Sequence, residues 1–163
     1  MTGIEAVRTA LQGTQHVLGM YLSDLSDADL LLRPVPGANH TAWQLGHLIF
    51  AEQYLLGILP GAKYPPLPAG FAELHAKEGA GKDADAGFLT KAQYVELFNQ
   101  MRSTTLAILD RMTDADLDLP NTGPLAKFAP TLGALILLQS NHTLMHGGQI
   151  TVVRRKLGKP VMM

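Results

Sequence analysis

Asn141-His142-Thr143-Leu144-Met145-His146-Gly147-Gly148-Gln149 is the stretch from which this chain is best read. His142 and His146 stand four residues apart. In a helix that is about one turn, which sets their Cβ atoms roughly 5–6 Å apart on one face. They also fall on an apolar stripe made of Leu135, Leu138 or Gln139, His142, His146, Gln149 or Ile150, and Val153, recurring at spacings of three and four. An inward-facing imidazole pair has to be hydrogen-bonded, ligated or hydrated, because an unsatisfied buried polar group costs on the order of 1–3 kcal/mol. Two imidazoles held this way can converge on one metal ion, so the reading turns on whether the chain supplies a third ligand.

Outward from this stretch, Thr131 is a good N-cap, and Arg154-Arg155-Lys156 followed by Gly158 and Pro160 ends the helix. The basic cluster there is expected to complement the helix C-terminal dipole. Upstream, a helix over about 90–112 carries the cap pattern Thr90-x-x-Gln93 and the stripe Tyr94, Leu97, Phe98, Met101, Thr105, Ile108 and Met112. Before it, residues 60–87 are broken by Pro and Gly, with a short helix expected over 71–78. Connections this long are usually functional or mobile, and they let the next helix run parallel to the last. A further helix begins near Asn39 to Thr41 with the stripe Trp43, His47, Phe50 or Ala51, Tyr54 and Ile58. The first helix spans roughly 3–23, opened by the capping-box pattern Thr2-x-x-Glu5. Ser26-Asp27-Ala28-Asp29-Leu30 matches Thr113-Asp114-Ala115-Asp116-Leu117, which is either a two-by-two internal repeat or shared turn chemistry. No strand alternation competes. Four long helices with apolar stripes predict an all-α, four-helix bundle, with a long crossover connection between the second and third.

At 163 residues the chain is read as one domain spanning 1–163. Net charge is −1 with no basic stripe, which argues against a nucleic-acid partner. No apolar run is long enough for a membrane span, and 1–5 lacks the pattern of a signal peptide. A cytoplasmic location is the default expectation. Cysteine is absent, which removes disulfides, thiolate ligands and a protein-borne thiol nucleophile.

His47, one turn after Trp43 on a separate helix, is the candidate third ligand. Divalent zinc or nickel accepts neutral imidazole well, and catalytic sites typically combine three protein ligands with a water or substrate. The bland alternative is three packed, hydrogen-bonded histidines. Thr143 occupies the position where a His-Glu-x-x-His protease would carry its general base, so that class is disfavoured.

The run Asn39-His40-Thr41-Ala42-Trp43-Gln44-Leu45-Gly46-His47-Leu48, with His142-x-x-x-His146-x-Gly148-Gln149-Ile150 far downstream, resembles the DinB/YfiT-like family of metal-binding four-helix bundles. The resemblance implies that His47, His142 and His146 are metal ligands, that the second and third helices run parallel, and that the protein forms a homodimer in many members. It also implies a small-molecule substrate. Family functions are diverse: transferases or isomerases using a low-molecular-weight thiol, hydrolases, and members without known activity. An open coordination position would serve either chemistry, while a non-catalytic metal-binding or stress-response bundle is the alternative.

Around the imidazoles, Gln149 is expected to orient a ligand or to be a core amide, and Trp43 and Tyr54 to wall a pocket or fill core. Part of 60–87 is expected to cover the cavity. Glu52 is expected at the surface, His16 and His40 exposed, and His75 in a solvated loop.

Overall fold

A computed structural model describes residues 1–81 and 87–161. The described residues form α1 (Gly3–Leu22), α2 (Asp27–Leu30), α3 (Thr41–Leu56), α4 (Phe71–His75), α5 (Lys91–Leu109), α6 (Asp114–Leu117) and α7 (Leu132–Lys156), with a 3-10 turn over Lys77–Gly79. They contain no strand beyond an isolated bridge between Pro120 and Thr131. Among them no helix is long and apolar enough to cross a membrane.

The caps read from sequence at α1, α5 and α7 are formed, whereas the cap expected of Asn39 or Thr41 is not the one α3 uses. Thr2 with Glu5 and Thr90 with Gln93 make reciprocal capping boxes at α1 and α5, and the Thr131 side chain accepts from the Ala134 N–H. Each box satisfies two N–H groups that the helix start leaves without an intrahelical partner. The α3 cap is His40, whose Nδ1 accepts from the Trp43 N–H at 3.1 Å. His40 is therefore buried rather than exposed, and its ring meets Phe88 edge-on. His16 lies on the exposed face of α1.

The four long helices make a bundle in which α1 packs on α7 and α5, and α3 packs on α5 and α7. Their directions follow from residue pairs. Leu45 shares a small cavity with Val95 and Phe98, while Glu52 bonds Arg102 and Thr105, so α3 and α5 advance the same way. Ser140 bonds the Ala10 carbonyl and Arg154 that of Tyr21, so α1 and α7 also run together. The pairs Gln15–Asn99 and Arg8–Asp110 show α1 and α5 to be antiparallel.

The two Asp-Ala-Asp-Leu runs both fold as single-turn helices with capping boxes, α2 and α6. Each then does the same long-range job for the opposite half. Asp27 accepts from the Lys91 N–H at the start of α5, and Asp114 from the Ile4 N–H at the start of α1. Reciprocal carboxylate capping of this kind places negative charge at two helix N-termini. It relates α1–α2–α3 to α5–α6–α7 as two halves.

The core divides into two apolar clusters, one around Leu18, Leu45, Ile49, Phe98 and Met101, the other around Leu11, Leu56, Ile108, Leu135 and Ile136. Between them each long helix contributes a buried residue to one polar network: Thr14, Glu52, Arg102 and Thr143. Arg102 is fully buried. It donates from Nε and Nη2 to the Glu52 carboxylate at 3.1 and 3.0 Å, from Nη1 to the Leu11 carbonyl and Thr14, and from Nη2 to Thr143. Thr105 donates to Glu52 at 2.6 Å and bonds Tyr64 at 2.9 Å. Glu52 is thus an interior ion-pair partner, not the surface residue its helical angle suggested, because α3 is covered on several sides by α4, α5 and α7. Arg154 departs from expectation in the same way. It is buried and bonds Asp24 and the Tyr21 and Pro160 carbonyls, while Lys156 reaches the Arg33 and Pro34 carbonyls.

Candidate metal centre

His47 on α3 and His142 and His146 on α7 meet in the interior of the bundle, with one donor nitrogen from each lying within 4.8 Å of the others. His142 and His146 approach Nε2 to Nε2 at 3.1 Å, and the His47 ring stands edge-on to that of His142 at a centroid distance of 5.1 Å. Imidazole nitrogens on one tetrahedral zinc at about 2.0–2.1 Å lie about 3.3–3.4 Å apart, so closure of at most about 0.7 Å per ring gathers all three. The residues fit a single divalent ion.

Their outer partners fix which nitrogen is available. His47 Nδ1 lies 3.0 Å from the His75 carbonyl oxygen. A carbonyl only accepts, so Nδ1 carries the proton and Nε2 keeps its lone pair. His146 Nδ1 lies 3.0 Å from Gln149 Oε1, with the same consequence. This is the arrangement that orients ligating imidazoles and raises their basicity. Gln149 is itself exposed, and Trp43 stacks on the His47 ring at 4.7 Å with 9° between planes. Burial pushes the His146 imidazole down to about 3 and that of His142 to about 4, and the neighbouring imidazoles add to both shifts. Burial also lowers His47, opposed by its bond to His75. All three are neutral near pH 7, the state in which imidazole binds metal.

His75 is not a solvated loop residue. It is fully buried in α4, with Nδ1 on the Phe71 carbonyl and Nε2 on the Tyr94 hydroxyl, both at 2.8 Å. Its ring occupies the space beside Gly46: a Cβ there would lie 2.0 Å from His75 Cδ2. Sequence reasoning missed this trio of Gly46, His75 and Tyr94. The available signal was Gly46 itself, since glycine inside a helix costs about 1 kcal/mol relative to alanine and often marks close approach.

A cavity of about 710 Å³ opens onto His47 and His142. Ala51, Leu55 and Leu138 line it together with Phe50 and Tyr54, and Asn141, Met145 and Lys77 stand at its border. Tyr54 is thus a wall residue with 58 % of its surface exposed, whereas Trp43 is buried against His47. Residues 60–87 were expected to cover this cavity, and among the described residues they contribute Lys77. Leu125 and Phe128, from the connection between α6 and α7, also line it. Residues 82–86 lie outside the described residues. A larger surface concavity of about 980 Å³ runs along α5 past Lys63, Glu96 and Thr104 and touches none of the imidazoles.

The bundle and its inward histidines can be set beside known proteins. A sequence profile described as the DinB superfamily matches residues 10–150. The chain belongs to the DinB superfamily. No curated protein matches it. Two solved structures share the fold of this DinB-superfamily chain. One is YfiT from Bacillus subtilis, described as a probable metal-dependent hydrolase with an unusual four-helix bundle topology. It is 17% identical, with 96% of this chain and 89% of that one covered and a TM-score of 0.67. The other is a conserved protein from Enterococcus faecalis, 15% identical, with 98% and 99% covered and a TM-score of 0.68.

Proposed function

We propose that this DinB-superfamily protein is a metal-dependent enzyme in which His47, His142 and His146 hold one divalent ion, zinc or nickel, with a coordination position open to the cavity. The observation that carries the proposal is the convergence of three neutral imidazoles whose ligating nitrogens lie within 4.8 Å. Among the described residues no fourth His, Cys, Asp or Glu joins the cluster. Structural zinc sites are normally closed by four protein ligands, whereas catalytic ones keep a position for water or substrate.

Such an ion lowers the pKa of a bound water to about 7, or holds a thiolate, and so supports hydrolysis or thiol transfer. The chain has no cysteine, so in the transfer reaction the thiol comes from a small-molecule cosubstrate. Thr143 is committed to Arg102 and to the Gln139 carbonyl, so the turn between His142 and His146 supplies no general base. The residues that do act here bind and orient: His75 and Gln149 hold two imidazoles in the ligating tautomer, and Trp43 fixes the plane of His47.

Metal analysis of protein purified without an affinity tag tests the proposal, with wild type beside His47→Ala and His142→Ala. The expected result is near-stoichiometric zinc or nickel in the wild type and its loss in both variants. Little metal in the wild type, or retention in both variants, would overturn the three-histidine centre.

A further inference from the structure

The cavity in front of the imidazoles has a chemical character of its own. Its floor is Ala51, Leu55 and Leu138, and its rim carries Phe128, Tyr54 and Met145, exposed at 75, 58 and 52 %. Contiguous large apolar side chains left in water around a concavity mark an interaction site rather than ordinary surface. The volume, about 710 Å³, falls in the range of small-molecule pockets. The polar groups of the lining are His47, His142 and Asn141 at the imidazoles, the Tyr54 hydroxyl on the rim, and Lys77 at the border. We infer that the natural ligand is a small amphipathic molecule, with a metal-donor head at the imidazoles and an apolar alkyl or aromatic body lying over Leu55 and Leu138 beneath Phe128.

The inference rests on the metal-centre reading for the head group and on the cavity alone for the body, and the two separate experimentally. Zinc-loaded protein is titrated with a series of n-alkyl hydroxamates from acetohydroxamate to octanohydroxamate. A methylene moved fully from water into an apolar site is worth a factor of about four in affinity. With a partly open cavity, a gain of about two- to fourfold per methylene is expected. Phe128→Asp and Leu125→Ser change lining side chains of the connection between α6 and α7, away from the imidazole-bearing helices. Both variants should keep zinc and the wild-type affinity for acetohydroxamate while losing most of the chain-length gain. A flat series in the wild type with acetohydroxamate still bound would overturn the amphipathic ligand and leave the metal centre standing. So would a chain-length gain undiminished in both variants. If the protein takes up no zinc, the metal reading fails separately, and acetate and octanoate are compared on the metal-free protein through the Met145 methyl NMR signal. Tighter binding of octanoate with a shift at Met145 upholds the apolar-body site, and equal or no binding overturns it.

Discussion

Replacing Gly46 by alanine is the sharpest test of how the site is held. In an unencumbered helix interior this change stabilises by about 0.5–1 kcal/mol, because alanine loses less backbone entropy on folding. Here the new Cβ would lie 2.0 Å from Cδ2, 2.2 Å from Nε2 and 2.4 Å from Cγ of His75. Those are ring atoms of a fully buried side chain, tied at both nitrogens, and they cannot swing aside as a flexible tip would. Displacing the ring forfeits its bonds to Phe71 and Tyr94, about 1 kcal/mol each net, and leaves the Tyr94 hydroxyl only its bond to the Leu89 backbone. Overpacking adds about 1–3 kcal/mol. Less the propensity gain, the expected outcome is a destabilisation of about 2–4.5 kcal/mol, opposite in sign to the helix-propensity effect. The His75 carbonyl also positions His47 Nδ1, and loss of such an outer partner weakens metal binding by about 10- to 100-fold. Urea unfolding of the metal-free protein measures the first effect, and competition with a chromophoric chelator measures the second. The double variant Gly46→Ala/His75→Ala should recover part of the stability and part of the metal affinity, because the clash is gone and the carbonyl that holds His47 is a main-chain group of residue 75. A Gly46→Ala protein as stable as wild type, with undiminished metal affinity, would refute the reasoning.

Two further outcomes follow from other parts of the interior. Arg102→Met leaves the Glu52 carboxylate buried without its cation and should cost about 3–5 kcal/mol, whereas Arg102→Met/Glu52→Leu should be markedly less destabilised, as read by urea unfolding. For pH, burial holds His75 and His142 down to about 4 and His146 to about 3, against an ordinary value of 6.5. Unfolding therefore takes up protons below pH 6.5, so the metal-free protein should keep its full stability above that pH and lose it as the pH falls from about 6.5 toward 4. The limiting slope is about 1.4 kcal/mol per pH unit for each proton, reduced for the less buried His142 by solvent screening. Denaturant midpoints unchanged between pH 7 and 4.5 would contradict this.

Much of the bundle is legible in the sequence because its signals are local. Capping boxes at Thr2 and Thr90, Pro and Gly between helices, and stripes at spacings of three and four each depend on a few neighbouring residues. The three imidazoles are legible for the same reason: each sits on a stripe. What stayed hidden depends on partners distant in the chain. Glu52 becomes interior only because Arg102, fifty residues on, folds against it with matching donors. His75 looks like a loop residue until Phe71, Tyr94 and the gap at Gly46 enclose it. Arg154 reads as a helix-end charge, yet Asp24 and two carbonyls draw it inside. Periodicity identifies an apolar face, but not which polar side chains a tertiary partner will make worth burying.

The two halves of the bundle also explain why the site is shaped as it is. Thr14, Glu52, Arg102 and Thr143 each stand eleven residues past the first residue of their helix, Gly3, Thr41, Lys91 and Leu132. These four members of the polar network therefore obey the repeat, at a common level in each helix. The histidines break it. His47, six residues past Thr41, corresponds to Leu138, six past Leu132; His142 and His146 correspond by the same rule to Ala51 and Leu55. Leu138, Ala51 and Leu55 are the three floor residues of the apolar cavity. The groove between α3 and α7 thus carries imidazoles at one set of positions and aliphatic side chains at the equivalent set. A symmetric scaffold supplies two equivalent half-sites, and the sequence makes one polar and one apolar. A ligand spanning both meets donor nitrogens at one end and a surface that repels water at the other, which orients it without requiring any further polar contact along its length.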